Sequence, residues 1–159
     1  MSRLRNGQPF PPLEVPAVGG GTISLPDDVA GSYGVILIYR GSWCPYCNAQ
    51  LAAFSRALDA LTELGAKVVA LSVDDEATSA ALAARHKLRF PVGHSADAGK
   101  VAAATGAYVN DDRRHLQSTG FVLAPDGTVR VAVYSSEAIG RLVADDVAGY
   151  VRYLTEHAA

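Results

Sequence analysis

The sequence predicts an α/β fold in which a central mixed sheet is flanked by helices. Residues 35–39 (VILIY) are five apolar residues in a row, three of them β-branched, which marks a strand buried on both faces. Leu51, Phe54, Leu58, Leu61 and Leu64 then recur at spacings of three and four, one face of an amphipathic helix. Residues 67–73 (KVVALSV) read as a second buried strand. Strand, helix and strand in that order make a right-handed parallel unit. Later, Pro125-Asp126-Gly127 forms a turn between residues 120–124 and 128–134, so the sheet ends in an antiparallel hairpin.

The elements follow in chain order. Pro9, Pro11, Pro12 and Pro16 forbid a helix at the start, and Gly19-Gly20-Gly21 marks a turn between two β-prone pieces at 13–15 and 22–25. Residues 1–33 are therefore predicted as an N-terminal arm, irregular or a small hairpin, packed on one domain spanning 1–159. Gly41-Ser42-Trp43 breaks the first strand, Pro45 suits a first helical turn, and the helical period runs from Asn48 to a stop at Gly65. Residues 76–87 are Ala-rich and helical until Pro91, and 97–105 form a short helix closed by Gly106. Val129, Val131 and Val133 alternate with Arg130, Ala132 and Tyr134, as an antiparallel strand requires. Ile139, Leu142, Val143, Val147, Tyr150, Val151 and Leu154 are predicted as the apolar face of a final helix. The order β-α-β, α, β-hairpin, α is that of the thioredoxin fold, with an arm before it and an insertion near 91–116. A flavodoxin-like sheet would need further parallel βα units where the hairpin stands, and ranks second.

Composition narrows the function. The 159 residues are 49% apolar and 19% charged, so the chain can build a core and is not disordered. A net charge of −2 leaves no basic field for nucleic acid. No apolar run is long enough to span a bilayer. Arg3 and Arg5 are followed by Asn6, Gly7, Gln8 and prolines rather than the apolar core of a signal peptide, so a cytoplasmic location is expected.

Both cysteines of the chain sit in Trp43-Cys44-Pro45-Tyr46-Cys47, between the end of a buried strand and the start of an amphipathic helix. Helix-N-terminal amides favour a thiolate. The C-terminal ends of parallel strands are where open α/β sheets present their chemistry. Residues i and i+3 of a helix have Cα atoms about 5 Å apart, within the span a disulfide accepts. The pair therefore reads as a redox-active dithiol that closes a local disulfide. Half of a zinc site and two buried structural thiols are the bland alternatives. Zinc would need a second ligand pair, and His86, His94, His115 and His157 are scattered. No metal or cofactor is expected.

Cys44-Pro45-Tyr46-Cys47 matches the glutaredoxin tetrapeptide, but the surrounding chain resembles a peroxiredoxin of the alkyl hydroperoxide reductase/thiol-specific antioxidant type. The resemblance runs from about Gly7 to Tyr134. It is carried by residues 7–15 (GQPFPPLEV), 35–47, 71–75 (LSVDD), 90–106 (FPVGHSADAGKVAAATG) and 121–128 (FVLAPDGT). It implies a thioredoxin fold with a peroxiredoxin-type insertion, and a peroxidatic loop whose Pro-x-x-x-Thr-x-x-Cys motif ends at Cys47. Arg40 then stands at the motif's Pro and Cys44 at its Thr. The family's later Arg, three residues before Phe121, is Ser118 here, next to Gln117, and Arg113 and Arg114 lie a few residues upstream.

The resemblance implies a thiol-dependent peroxidase for hydrogen peroxide or organic hydroperoxides, with Cys47 attacking the peroxide and Cys44 resolving it. The tetrapeptide favours the alternative, a thioredoxin- or glutaredoxin-like thiol–disulfide oxidoreductase. The expected partners are a peroxide, a thioredoxin- or glutaredoxin-like reductant and a second copy in a homodimer, with no nucleic acid or membrane. Arg40, Trp43, Tyr46, Arg113 and Arg114 are the candidate binding or activating residues around the sulfurs.

Overall fold

The computed structural model describes residues 2–112 and 114–158. A two-stranded antiparallel hairpin, β1 (Leu13–Pro16) and β2 (Thr22–Leu25), is followed by a 3-10 turn at Asp27–Val29. A five-stranded sheet comprises β3 (Tyr33–Ile38), β4 (Ala66–Leu71), β5 (Val92–Gly93), β6 (Thr119–Leu123) and β7 (Val129–Tyr134), in the spatial order β5-β4-β3-β6-β7. The helices are α1 (Pro45–Glu63), α2 (Glu76–Arg85), α3 (Ala98–Thr105) and α4 (Ala144–Glu156). β3, β4 and β5 run parallel, and β6 and β7 run antiparallel to their neighbours. This is the thioredoxin fold that the element order predicts.

The period-2 geometry of β3 explains why its run is apolar throughout. Val35 and Leu37 face a core made with Leu51, Phe54 and Leu61 of α1, Leu82 of α2, and Val147 and Val151 of α4. Ile36 and Ile38 face the other way, toward Val101 and Ala102 of α3 and Phe10, Leu13, Val15, Ile23 and Leu25 of the arm. The arm is thus the cover of the second sheet face. Leu51 and Phe54, both fully buried, each contribute about 1.5–3 kcal/mol by the area they remove from water and fix α1 on the sheet.

The helix ends obey local chemistry. Asp75 caps α2 by accepting from Thr78 N at 2.8 Å, and Asp97 caps α3 by accepting from Lys100 N at 3.0 Å. Gly106 closes α3 in the left-handed conformation, φ 81°. α1 begins at Pro45, the proline that the sequence places in a first helical turn, ahead of the apolar period. The last helix needs correction. The final helix begins at Ala144, so Ile139 and Val143 are exposed at 65% and 53% and Leu142 is buried from a loop. Gly140, with φ 85°, cannot continue a right-handed helix, although the apolar spacing around it mimics one. The short β5 lies inside the insertion predicted near 91–116, for which the sequence suggests a helix but no strand. No helix of the described residues is long and apolar enough to cross a membrane.

The registers gather the chain ends of four strands at one edge. Ile38 lies opposite Leu71 and Thr119, and Thr119 lies opposite Tyr134. Arg40, Asp74, Gln117 and the segment after Tyr134 therefore all emerge beside the N-terminus of α1.

Candidate active site

Cys44 is the N-cap of α1 and Cys47 lies in its first turn; both are free thiols and fully buried. Cys44 Sγ accepts from the Cys47 N–H at 3.4 Å, doing with sulfur what a Ser or Asp oxygen does at other helix caps. Cys47 Sγ accepts from the Arg40 N–H at 3.3 Å and from Arg141 Nη1, also at 3.3 Å. Arg40 Nη1 lies 3.8 Å from Cys44 Sγ. Each sulfur thus has one guanidinium and one backbone N–H on it.

The two arginines are held differently. Arg40 Nε donates to Gln117 Oε1 at 2.8 Å, its Nη2 pairs with exposed Glu137 at 3.5 Å, and its guanidinium lies 4.9 Å from the Trp43 ring centre. Arg40 therefore brings its charge to the side chain of Gln117. Arg141 Nη1 also donates to Gln50 Oε1 at 3.2 Å, and Nη2 donates to the Ala138 carbonyl. Gln50, buried on α1, donates in turn to the Leu142 carbonyl at 2.9 Å, so α1 holds the loop at Arg141 and at the residue after it. Arg141 Nε is buried and makes no hydrogen bond among the described residues.

Electrostatics separates the sulfurs. Burial pushes the Cys44 thiol up, but hydrogen bonds from the Cys47 thiol, the Cys47 N–H and Arg40, with the charge of Arg141, outweigh it and hold it below the usual cysteine range. Burial raises the Cys47 thiol, and its proton-sharing contact with Cys44 raises it further against the pull of Arg141 and the Arg40 N–H. The two share a proton and titrate as a pair, with the first thiolate resting mainly on Cys44.

The sequence-derived candidates are only partly brought together. Cys44, Cys47 and Arg40 are brought into contact. Trp43 and Tyr46 are exposed at 56% and 52% and form its rim. Trp43 packs edge-on against His115, with ring centres 5.0 Å apart, and a Cβ on Gly41 would collide with its indole, which explains the glycine. Arg114 makes its contacts within its own loop. Its exposed guanidinium faces Asp112, with Nε 3.5 Å from the carboxylate, and Asp112 also accepts from the Arg114 N–H at 3.0 Å. No contact between Arg114 and either sulfur is seen among the described residues. Arg113 lies outside the described residues. Arg141 was missed, because a 94-residue separation from Cys47 hides the contact and helical spacing masks its loop. The Gly140-Arg141 step was the available signal. Among the described residues, no three His, Cys, Asp or Glu side chains gather as a metal site.

The AhpC/TSA family model matches residues 6–132. A peroxiredoxin of Thermotoga petrophila is 28% identical over 154 residues, covering 93% of this chain and 70% of that protein. A peroxiredoxin of Methanothermobacter thermautotrophicus is 28% identical over 147 residues, 89% of this chain and 69% of that protein. In fold, the chain is similar to the peroxidoxin BcpB of Mycobacterium tuberculosis (TM-score 0.82, 20% identity, 96% of this chain and 99% of that one). It is also similar to AhpC of Mycobacterium bovis (TM-score 0.84, 21% identity, 100% and 97%). With the family model spanning most of the chain and a buried dithiol where the fold presents its chemistry, the chain belongs to the AhpC/TSA family and is a peroxiredoxin-like oxidoreductase.

Proposed function

We propose that the protein is a thiol-dependent peroxidase that reduces hydrogen peroxide or organic hydroperoxides through a Cys44–Cys47 dithiol/disulfide cycle. The observation that carries this reading is the convergence of the Arg40 N–H and Arg141 Nη1 on Cys47 Sγ, each at 3.3 Å. Fixed donors at a buried sulfur stabilise the thiolate.

The Cys44 thiolate takes the Cys47 proton, and the Cys47 thiolate attacks the peroxide O–O bond. Cys47 becomes a sulfenic acid, and the departing oxygen leaves as hydroxide, or alkoxide, which takes the proton now on Cys44. The Cys44 thiolate then attacks the sulfenic sulfur. A disulfide forms, and the released hydroxide picks up a proton as water. Two thiols and one peroxide give one disulfide and two hydroxylic products. A thioredoxin- or glutaredoxin-like dithiol returns the pair to the reduced state by exchange. This reading expects a homodimer in the cytoplasm, where such reductants keep thiols reduced.

A second reading, a thiol–disulfide oxidoreductase, is favoured by the lowered Cys44 thiol, since a thiolate at a helix N-cap is the nucleophile that exchange needs. Mixing reduced protein with one equivalent of hydrogen peroxide and timing thiol loss against free cysteine separates them. The peroxidase is expected to outrun free cysteine by orders of magnitude. A rate equal to that of free cysteine favours the oxidoreductase.

A further inference from the structure

We infer that Asn48 is a positioning residue for the cysteine pair, a clasp that sets the thiolate population of Cys44 by holding residues 41–44 at the N-cap of α1. Asn48 Nδ2 donates to the Ser42 carbonyl at 2.8 Å and to the Cys44 carbonyl at 3.0 Å. Its Oδ1 accepts from His86 Nε2 at 2.8 Å and from Arg85 Nη2 at 3.2 Å, at the C-terminal end of α2. These four partners determine the amide's orientation. Flipped, the carbonyl oxygen would face two carbonyls and the NH2 a guanidinium. Because Oδ1 only accepts, His86 carries its proton on Nε2.

The same loop is held from the sheet side, where the Ser42 N–H donates to Asp74 at 2.8 Å, and by the Cys44 N–H on the Gly41 carbonyl at 3.2 Å. Asn48 supplies the fastening on the helix side. The bonds that lower the Cys44 thiol, from Cys47 and Arg40, depend on Sγ staying at the cap. Cutting the clasp lets the loop move off the helix end and leaves Cys44 with burial and fewer donors, which favours the neutral thiol. The inference rests on the proposed function only in taking the pair to cycle through a disulfide.

The full-length chain carrying Asn48→Ala, His86→Ala or His86→Gln tests it. Thiolate is read by ultraviolet absorbance on titration, and disulfide stability from the equilibrium with glutathione. Asn48→Ala is expected to lose about tenfold in thiolate at neutral pH. Thiolate stabilises the reduced state, so the glutathione equilibrium is expected to move about tenfold toward the disulfide. His86→Ala is expected to move about threefold in the same direction, whereas His86→Gln, whose Nε2 amide donates from a similar place, stays within about twofold of wild type. Values within about twofold of wild type for both alanine variants overturn the inference, as does an equal change in His86→Ala and His86→Gln. If Asn48→Ala fails to fold, the two His86 variants decide alone. Neither readout involves peroxide. A wild-type chain that ignores peroxide while the variants behave as expected overturns the peroxidase and leaves the clasp standing; fast peroxide reduction with unmoved variants does the reverse.

Discussion

Two loops reach the edge of the sheet where the cysteines sit, and both carry arginine. In the first loop the hydrogen bonds stay local: Asn110 and Asp112 side chains meet, Asp112 accepts from the Arg114 N–H, and Asn110 Oδ1 accepts from the His115 N–H at 2.8 Å. Arg114 is left in solvent against Asp112. Residues 135–143 are instead tied to the site, through Glu137 to Arg40 and through Gln50 to the Leu142 carbonyl, and they deliver Arg141 to Cys47. A cation near a site in sequence is of no use to a sulfur unless its backbone is anchored there. The anchoring carbonyls and carboxylates, more than the count of arginines, decide which loop supplies the charge.

Arg141→Met breaks this comparison with the largest expected effect. It removes a charged donor from a buried thiolate, and the peroxide rate is expected to fall about a hundredfold. Arg141 also lowers both thiols through its charge. Without it the thiolate forms at higher pH, so the rise of the rate is expected to shift to the alkaline side and raising the pH to recover part of the loss. An unshifted profile would show that Arg141 acts on peroxide alone. Arg141→Lys sharpens the contrast. A point charge cannot hold Gln50, Cys47 and the Ala138 carbonyl together, and a loss of about tenfold is expected. Arg114→Met, on the self-bonded loop, is expected to leave rate and pH profile within about twofold of wild type, as an exposed pair carries little energy. A tenfold loss there would transfer the activating role to the 110–115 loop.

The parts of this account readable from sequence are those fixed by short-range chemistry. The CxxC between an apolar run and a 3–4 periodic face places both sulfurs at the start of α1, and the PDG turn places the β6–β7 hairpin. The covering role of residues 1–33 is half-legible: their turn and strand signals show, but which sheet face they bury depends on Ile36 and Ile38 having no helix large enough to cover them. Arg141 is illegible for a physical reason. Ile139, Leu142 and Val143 carry helical spacing although they lie in a loop that buries Leu142 alone and leaves the other two exposed, and only Gly140 marks the interruption. Asn48 looks like an ordinary helix residue, since its partners on α2 come from 37 and 38 positions away.

The central claim, that Cys47 is the sulfur that meets peroxide, is tested most directly by single replacement of each cysteine. Reduced Cys44→Ser and Cys47→Ser proteins are mixed with hydrogen peroxide in a stopped-flow instrument, and any sulfenic acid is trapped and mapped by mass spectrometry. Cys44→Ser is expected to keep the rate within about tenfold of wild type and accumulate sulfenic acid at Cys47, because both donors on that sulfur remain. Fast reaction of Cys47→Ser with sulfenic acid at Cys44 would contradict the assignment.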